Sequence, residues 1–524
     1  MATIVKEPGQ FSNEPIKPFS DPQERSGLAQ AIAKLRGDPR TWDLVIGGRR
    51  VKARTQFSSI NPAKPADTVG MMQSASGEQA LEAIGAAEKS FPAWSRVPAQ
   101  QRAELLFAVA DKVRQRRDEL DALLVLEVGK PWVEADGDVA EGIDFLEYYG
   151  REMLRFAGRR EVTPVPGEDN EMHYLPLGVG VVIPPWNFAF AIMVGMTSAA
   201  IVAGNTVVLK PSSDSPVIAA RFVEMLEECG LPPGVVNLIT GSGGSIGDAL
   251  VKDARVRFVS FTGSKEVGLR INRLAADPEP GQLWIKRVVA EMGGKDAIVV
   301  AADADLPAAV EAVAVSAFGF SGQKCSACSR AIVEAPVYDE FVERLAQRVD
   351  AITIGDPADP KTAMGPVINE RSRDKIEQYI RTGKDEGKLL TGGERASDDG
   401  YFLEPTVFID VAPRAVIAQE EIFGPVLAVI KAKNYEEGLA FANDSEFGLT
   451  GSVFSTDRSK LERARAEFLV GNLYLNRKCT GALVGAHPFG GFKMSGTDSK
   501  AGGPDYLLLF LQAKSVSEKI AARG

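Results

Sequence analysis

An α/β protein of two doubly wound domains is what this sequence predicts, and three observations predict it. At 524 residues and 45% apolar composition, the chain is too long for one ordinary core and divides most naturally into two large domains with smaller additions. Strand-like and helix-like segments alternate from Thr206 onward, and a second alternation begins near Lys295. Such alternation builds parallel sheets, because a parallel strand pair needs a crossover connection, usually a helix.

Taken in order, the opening MATIVKEPGQFSNEPIKPFS has neither an apolar signal segment nor an Arg-rich amphipathic pattern. It reads as an irregular arm without a targeting signal. After Pro98, Leu105, Leu106, Val109 and Val113 recur at helical spacing, and VAEGIDFLEYYGREML continues in that style, so these helices should cover one face of the sheet that follows. Arg159 to Gly178 reads as two short extended arms around a Pro-Gly turn, a candidate oligomerisation hairpin.

From Tyr174 to Leu209 no Asp, Glu, Lys or Arg appears, a run long enough to raise the question of a membrane span. Pro184 and Pro185 break any helix there and Asn187 and Asn205 are polar, so the run divides into a strand GVGVVI, a turn, a helix IMVGMTSAAIVAG and a strand TVVL. That is the buried core of an α/β domain. Onward come TVVLK, a helix over about Pro216 to Glu228, VVNLIT, a helix after GSGGS, FVSFTG and a helix from about Lys265. The second domain offers DAIVV, AIVEA, AITIG, TVFID and VLAVI as its strands. No internal repeat or low-complexity segment stands out.

Composition excludes several partners. With Asp+Glu 70 against Lys+Arg 60, the net charge of −10 gives no footprint for nucleic acid or anionic lipid. Four cysteines in so long a chain are too few for a secreted disulfide framework, which points to a reducing cytoplasm.

Three strands of the first domain run into polar or glycine-rich turns: KPSSDSP, GSGGSIG and FTGSKEVG. Turns at strand C-termini that open helices are where a nucleotide lies. The middle one, G-x-G-x-x-x-G, is one residue longer than the dinucleotide fingerprint and lacks the acidic partner downstream, so each turn also fits an ordinary scaffold. Together they favour a dinucleotide bound in a non-standard manner.

GFSGQKCSACSR places Cys325 and Cys328 three positions apart. A zinc site lacks ligand-spaced partners among Cys229, Cys479, His173 and His487, and no metal is expected. A thioredoxin-type pair would open a helix after the first strand of a small domain, whereas this one lies deep in a large one. Ordinary buried cysteines remain a reading, and so does a nucleophile. With two histidines in the chain, a Cys-His pair is poorly supported, leaving a carboxylate as base. Glu291, in AEMGGKDA, stands where a helix-like segment gives way to two glycines and then a strand, an unusual place for an acidic group.

EMGGKDA, FxGQKCSAxSR, PWNF, FTGSxxxG, EEIFGP and PFGGFKxSG, in their spacing from about Trp42 to Gly496, resemble the aldehyde dehydrogenase superfamily. PGEDN, AEGIDFLEYY, GQKCSA and NRKCTGALVGAHPFGGFKMSGT resemble most closely its branch that oxidises L-glutamate γ-semialdehyde, the 1-pyrroline-5-carboxylate dehydrogenases. The resemblance implies an aldehyde dehydrogenase-like fold: an N-terminal arm at 1–40, a Rossmann-like NAD(P)-binding domain at 41–158 and 179–292, and a catalytic domain at 293–495. An oligomerisation element at 159–178 and 496–524 would build homo-oligomers from domain-exchanged dimers.

It further implies that Cys325 attacks the aldehyde carbon, that Asn187 and the Cys325 N–H hold the oxyanion, and that Glu291 activates the water that hydrolyses the thioester. Cys328 is then a bystander. Lys210, Ser213, Gly243, Gly247, Ser264 and Glu421, with Trp186 and Phe423 packing nearby, would bind NAD. NAD-specific relatives carry Glu three positions after the lysine; Ser213 stands here, followed by Asp214, so NADP is expected as a second acceptor. For the substrate, Ser326 and the N–H groups of Gly481 and Ala482 would hold the carboxylate, Glu141 the amino group, and Phe188 and Phe489 the aliphatic stem. A proline dehydrogenase would be a separate, functionally linked protein, since about 40 residues precede the match. The other enzyme reading keeps this mechanism on another semialdehyde or an aliphatic aldehyde, and a non-catalytic member of the fold is opposed by intact Cys325, Glu291, Asn187 and Glu421.

Overall fold

The computed structural model describes residues 9–37 and 39–520. Two seven-stranded sheets form its frame. In the first, the order is Arg287–Glu291, Val256–Thr262, Val179–Ile183, Thr206–Leu209, Val236–Leu238, Leu44–Ile46 and Arg49–Val51. The first five strands are parallel and the last two extend the edge antiparallel. After Val179–Ile183 the chain builds outward through two strands, then returns to the other side with Val256–Thr262. Strand order therefore reverses at Val179–Ile183, and a crevice opens beyond the carboxyl ends of that strand and Val256–Thr262.

The second sheet runs Lys388–Thr391, Thr406–Ile409, Val426–Ala432, Cys328–Glu334, Asp296–Val300, Thr450–Phe454 and Asn472–Leu475, all parallel except the first. A third, three-stranded antiparallel sheet joins Arg160–Glu161 and Glu168–Pro176 to the C-terminal strand Leu511–Lys519. The tail is anchored by Arg287, whose guanidinium donates to the carbonyls of Leu508, Leu509 and Leu511.

The uncharged run folds as its pattern predicts: strand Val179–Ile183, turn, helix Ala191–Val202, strand Thr206–Leu209, nearly all of it buried. Among the described residues no helix is long and apolar enough to cross a membrane. Helices Ala99–Gln115 and Trp132–Phe156 lie where the periodicity places them.

Two expectations need correction. Ala351–Gly355 is not a sheet strand; it makes one isolated bridge, Ile354 to Met364, because the Thr353 carbonyl is taken by the N–H groups of Ala363 and Met364 in a local loop. Glu291 ends a β-strand, not a helix, since Arg287–Glu291 pairs along Val256–Thr262. Over residues 9–20 the N-terminal arm is irregular, as expected, and after it Pro22–Gly37 forms a helix that buries Leu28 and Ile32 against helix Arg117–Val128. Residues 1–8 of the arm and 521–524 of the tail lie outside the described residues. The sequence reading also passed over Thr450–Phe454 and Asn472–Leu475, which complete the second sheet.

Gly180 shows how tightly the first sheet is packed. A Cβ there would stand 2.0 Å from Phe258 Cζ, and Phe258 is fully buried between neighbours that include Phe510. Gly180→Ala should therefore cost about 1–3 kcal/mol through overpacking, lowering both the thermal midpoint and the soluble yield. An unchanged midpoint would contradict this packing.

Candidate active site

The loop that carries Cys325 is pinned before the sulfur is reached. It follows the turn Gly319–Gly322, where Phe320 and Ser321 adopt left-handed φ values of 52° and 56°. Such conformations cost energy for residues with a Cβ and persist where the surroundings fix them. Here Ser321 Oγ donates to the Gly365 carbonyl at 2.7 Å, and the fully buried Gln323 side chain accepts from the Ile368 N–H at 2.8 Å. From the other sheet, Asn187 Nδ2 donates to the Gln323 carbonyl at 3.0 Å. The chain then turns through Cys325 into strand Cys328–Glu334.

Cys325 lines two cavities at once, together with Thr262 and Met292. One is a cleft of about 580 Å³ at the crevice of the first sheet, and it contains Trp186, Lys210, Ser213, Gly243, Ser264, Glu421 and Phe423. The other is a smaller chamber of about 100 Å³, lined by Glu141, Phe188, Ser326, Gly481, Ala482 and Phe489, with Glu291 at its wall. Every expected cofactor residue reaches the cleft except Gly247. That glycine lies inside helix Gly243–Lys252, away from the cleft lining, and a Cβ on it would meet nothing within 4 Å. The helix starts so early in GSGGSIG that only its first glycine faces the crevice.

The cleft suits an anionic, ribose-bearing ligand. Ser264 caps helix Lys265–Ala276, so the helix N-terminus opens into the crevice. Lys210 is buried at the end of its strand, its ammonium bonded, among the described residues, only to the Pro211 carbonyl at 3.3 Å, and burial lowers its pKa to about 8. An anion beside it would restore the charge. Ser213 Oγ donates to the Gly241 carbonyl, and Asp214 accepts from Asn369 Nδ2 at 3.0 Å. Trp186 and Phe423 meet edge to face at 5.5 Å, with Phe423 held at a φ of 61°. Glu421 Oε1 accepts from the Gly294 N–H at 3.1 Å.

In the chamber, burial dominates the electrostatics. It raises Glu141 to about 8 and Glu291 to about 7, and it pushes the Cys325 thiol well up, helped by the nearby carboxylates of Asp296, Glu421 and Glu291. At neutral pH the sulfur therefore carries its proton, and its attack needs a base. Glu291 Oε1 accepts from Ser499 Oγ at 2.7 Å and Oε2 from the Gly491 N–H at 3.0 Å. Gly481 has a φ of 76°, and among the described residues neither its N–H, that of Ala482, nor the Ser326 hydroxyl makes a hydrogen bond. Three donors thus remain for a ligand at one end of the chamber.

Cys328 and Cys479 face away from this chemistry. Both are buried and free; Cys479 Sγ contacts the Ser326 carbonyl at 3.4 Å and Cys328 Sγ the Arg330 carbonyl at 3.5 Å. Among the described residues no group of three or more His, Cys, Asp or Glu side chains could hold a metal ion.

Some contributors escaped the sequence reading. Lys130 is fully buried, paired with Asp138 at 2.8 Å, and its ammonium lies 4.2 Å from the Phe188 ring centroid. Asp138 in turn accepts from the Ala191 N–H at 2.7 Å, fixing the helix that follows Phe188. A lysine directly after the apolar run LLVLEVG was a usable signal. Ser499 gave none, because only tertiary contact brings it to Glu291.

Residues 50–516 match the model of the aldehyde dehydrogenase family. A 1-pyrroline-5-carboxylate dehydrogenase of Geobacillus kaustophilus is 55% identical over 509 residues, covering 97% of this chain and 99% of that one. The crystal structure of a 1-pyrroline-5-carboxylate dehydrogenase from Thermus with bound NAD superposes with a TM-score of 0.96 at 49% identity, covering 97% of this chain and 99% of that one. Proline utilization A from Bdellovibrio bacteriovorus superposes at 0.97 with 45% identity, covering 99% of this chain and 54% of that one. Matched by the family model over residues 50–516 and by relatives at about half identity over 97% of its length, the chain belongs to the aldehyde dehydrogenase family.

Proposed function

We propose that this chain oxidises L-glutamate γ-semialdehyde, the opened form of 1-pyrroline-5-carboxylate, to L-glutamate with NAD as acceptor, the last step of proline breakdown. The observation that carries the reading is Cys325 standing where a dinucleotide-sized cleft meets a chamber with free donors at one end and a glutamate on its wall. Relatives over 97% of the chain bear the matching name.

Within this reading, the backbone N–H groups of Gly481 and Ala482 with Ser326 bind the substrate carboxylate, as consecutive N–H groups around a positive φ do. Glu141 takes the ammonium group. Burial has raised its pKa to about 8, so a cation alongside it stabilises the ionised form and favours an amino-bearing substrate over a plain alkyl chain. Phe188 and Phe489 enclose the stem between. The Cys325 thiol gives its proton to solvent in the cleft as its sulfur adds to the aldehyde carbon, and the oxygen takes its charge against Asn187 Nδ2 and the Cys325 N–H; one such donor is worth about 10²- to 10³-fold in rate.

The nicotinamide, when bound, takes up the hydride and leaves a thioester on Cys325. Lys210, Ser264 and Glu421 hold the cofactor, with Trp186 and Phe423 beside it. Glu291 then removes a proton from the water that attacks the thioester; glutamate leaves and the thiol is restored. With Ser213 in place of an acidic residue and Asp214 tied to Asn369, a 2′-phosphate meets less repulsion, so NADP serves as a second acceptor.

The same proposal places the cofactor domain at 41–158 and 179–292, the catalytic domain at 293–495 and the oligomerisation element at 159–178 and 496–524. The three-stranded sheet that ends in Leu511–Lys519 supports domain-exchanged dimers as the unit of a homo-oligomer. A cytoplasmic setting fits four free cysteines, and a functional link to proline dehydrogenase follows from the substrate.

Two outcomes test the reading. Purified protein given 1-pyrroline-5-carboxylate should form reduced nicotinamide far faster than with hexanal, and Cys325→Ala should lower that rate at least about 10³-fold. A preference for hexanal would leave another aldehyde as the substrate and discard the roles of Glu141, Gly481 and Ala482. Because Glu291 works as a base only when ionised, turnover should fall as pH drops through about 7. Glu291→Gln should remove that limb and leave a burst of one reduced nicotinamide per site; near wild-type turnover by this variant would exclude Glu291 as the base.

A further inference from the structure

Glu291 is not hydrogen-bonded to the Cys325 sulfur; its carboxylate is docked elsewhere. Three donors hold it, all from the segment Gly491–Ser499: Ser499 Oγ at 2.7 Å and the Ser499 N–H at 3.3 Å on Oε1, and the Gly491 N–H at 3.0 Å on Oε2. Ser499 is itself only 4% exposed. The dock fits closely, since a Cβ on Gly496 would stand 2.9 Å from both carboxylate oxygens and one on Gly490 3.1 Å from Oε1. The same segment is bonded to the strand that bears Glu291: Met292 N–H to the Ser495 carbonyl at 2.7 Å and Thr497 N–H to the Ala290 carbonyl at 2.9 Å.

This dock touches the substrate chamber. Two residues beyond Ser499, Ala501 lines the chamber and exchanges a pair of backbone hydrogen bonds with Phe489 at 2.7 and 2.8 Å. Gly502 N–H, one residue further on, donates to the buried Tyr149 hydroxyl at 2.8 Å.

We propose that Ser499 is a positioning residue for deacylation: its hydroxyl docks the Glu291 carboxylate at the chamber wall, keeps it ionised, and releases it toward the thioester. This rests on Glu291 being the base. A hydrogen bond to the charged form favours that form, so the serine opposes the burial that raises this carboxyl. Other groups facing Glu291 are Lys500 on the same segment, which favours the charge, Cys325 on the catalytic loop and Tyr506 from the turn Tyr506–Phe510, with Glu141 across the chamber on helix Trp132–Phe156. None of them donates a hydrogen bond to the carboxylate, and Lys500 spends its ammonium on the carbonyls of Gly471 and Gly490.

The test is the pH profile of kcat with 1-pyrroline-5-carboxylate and NAD for wild type, Ser499→Ala, Ser499→Thr and Glu291→Gln, with the burst of reduced nicotinamide followed by stopped flow. Loss of a charge-assisted hydrogen bond should move the acid limb of Ser499→Ala upward by about one to two pH units, so that turnover near pH 7 drops several-fold and recovers above pH 9. The burst amplitude should persist, because only the step after it is affected, and Ser499→Thr should restore the wild-type limb. A drop of equal size at every pH, or an unmoved limb, would overturn the role of Ser499 while Glu291→Gln remained inactive in turnover. If Glu291→Gln itself turned over normally, the fault would lie in the assignment of the base, and the positioning role would fall with it.

Discussion

One hydrogen bond, from the Asn187 amide to the Gln323 carbonyl, ties the ends of the two sheets together beside Cys325. Asn187 comes off the carboxyl end of the strand where the first sheet reverses its order, and Cys325 comes off the amino end of a strand in the second. The Cys325 loop is therefore held from both sides: by Asn187 on one, and by Ser321, Gln323 and their carbonyl and N–H partners on the other. Every other feature of the site is placed relative to this junction, including the crevice, the chamber and the strand that ends in Glu291. Positioning on rigid strand ends gives the thiol one geometry with respect to both cavities.

Charge management is the second constraint. Glu141, Glu291, Glu421 and Asp296 gather around the half-buried Cys325, and burial raises all of their pKa values. Four ionised carboxylates in such dry surroundings would be costly, so partial neutralisation is the expected compromise. Lys130 offsets part of the charge from beneath Phe188, held by Asp138 in a pair from which water is excluded. The arrangement is responsive: a cation placed beside Glu141 would shift it toward ionisation, and an anion placed beside Lys210 would shift it toward protonation. Binding thus completes the electrostatics that folding leaves unfinished.

Much of this was legible in the residues. The α/β class and the buried nature of the uncharged run followed from periodicity, since strand and helix patterns of this length are dictated by which faces meet the core. The cleft residues were legible because turns after parallel strands must lie at one edge of the sheet, which is why Lys210, Ser213 and Ser264 converge although they are far apart in sequence. Where local pattern and tertiary demand parted, the reading failed. AITIG has the β-branched content of a strand, yet its backbone groups are consumed in a local loop, and Glu291 sits on a strand whose apolar content resembles a helix end.

By itself the sequence determined the class of fold and the family pattern, because these depend on residue identity and short-range spacing. Only the tertiary structure decided that Gly247 lies away from the cleft, that Lys130 underlies Phe188, and that Ser499 reaches back across 208 positions to hold Glu291. The reason is physical: a side chain's role in a site depends on which backbone groups and charges share its dry surroundings, and chain closure sets that company through contacts that leave no periodic trace in the sequence.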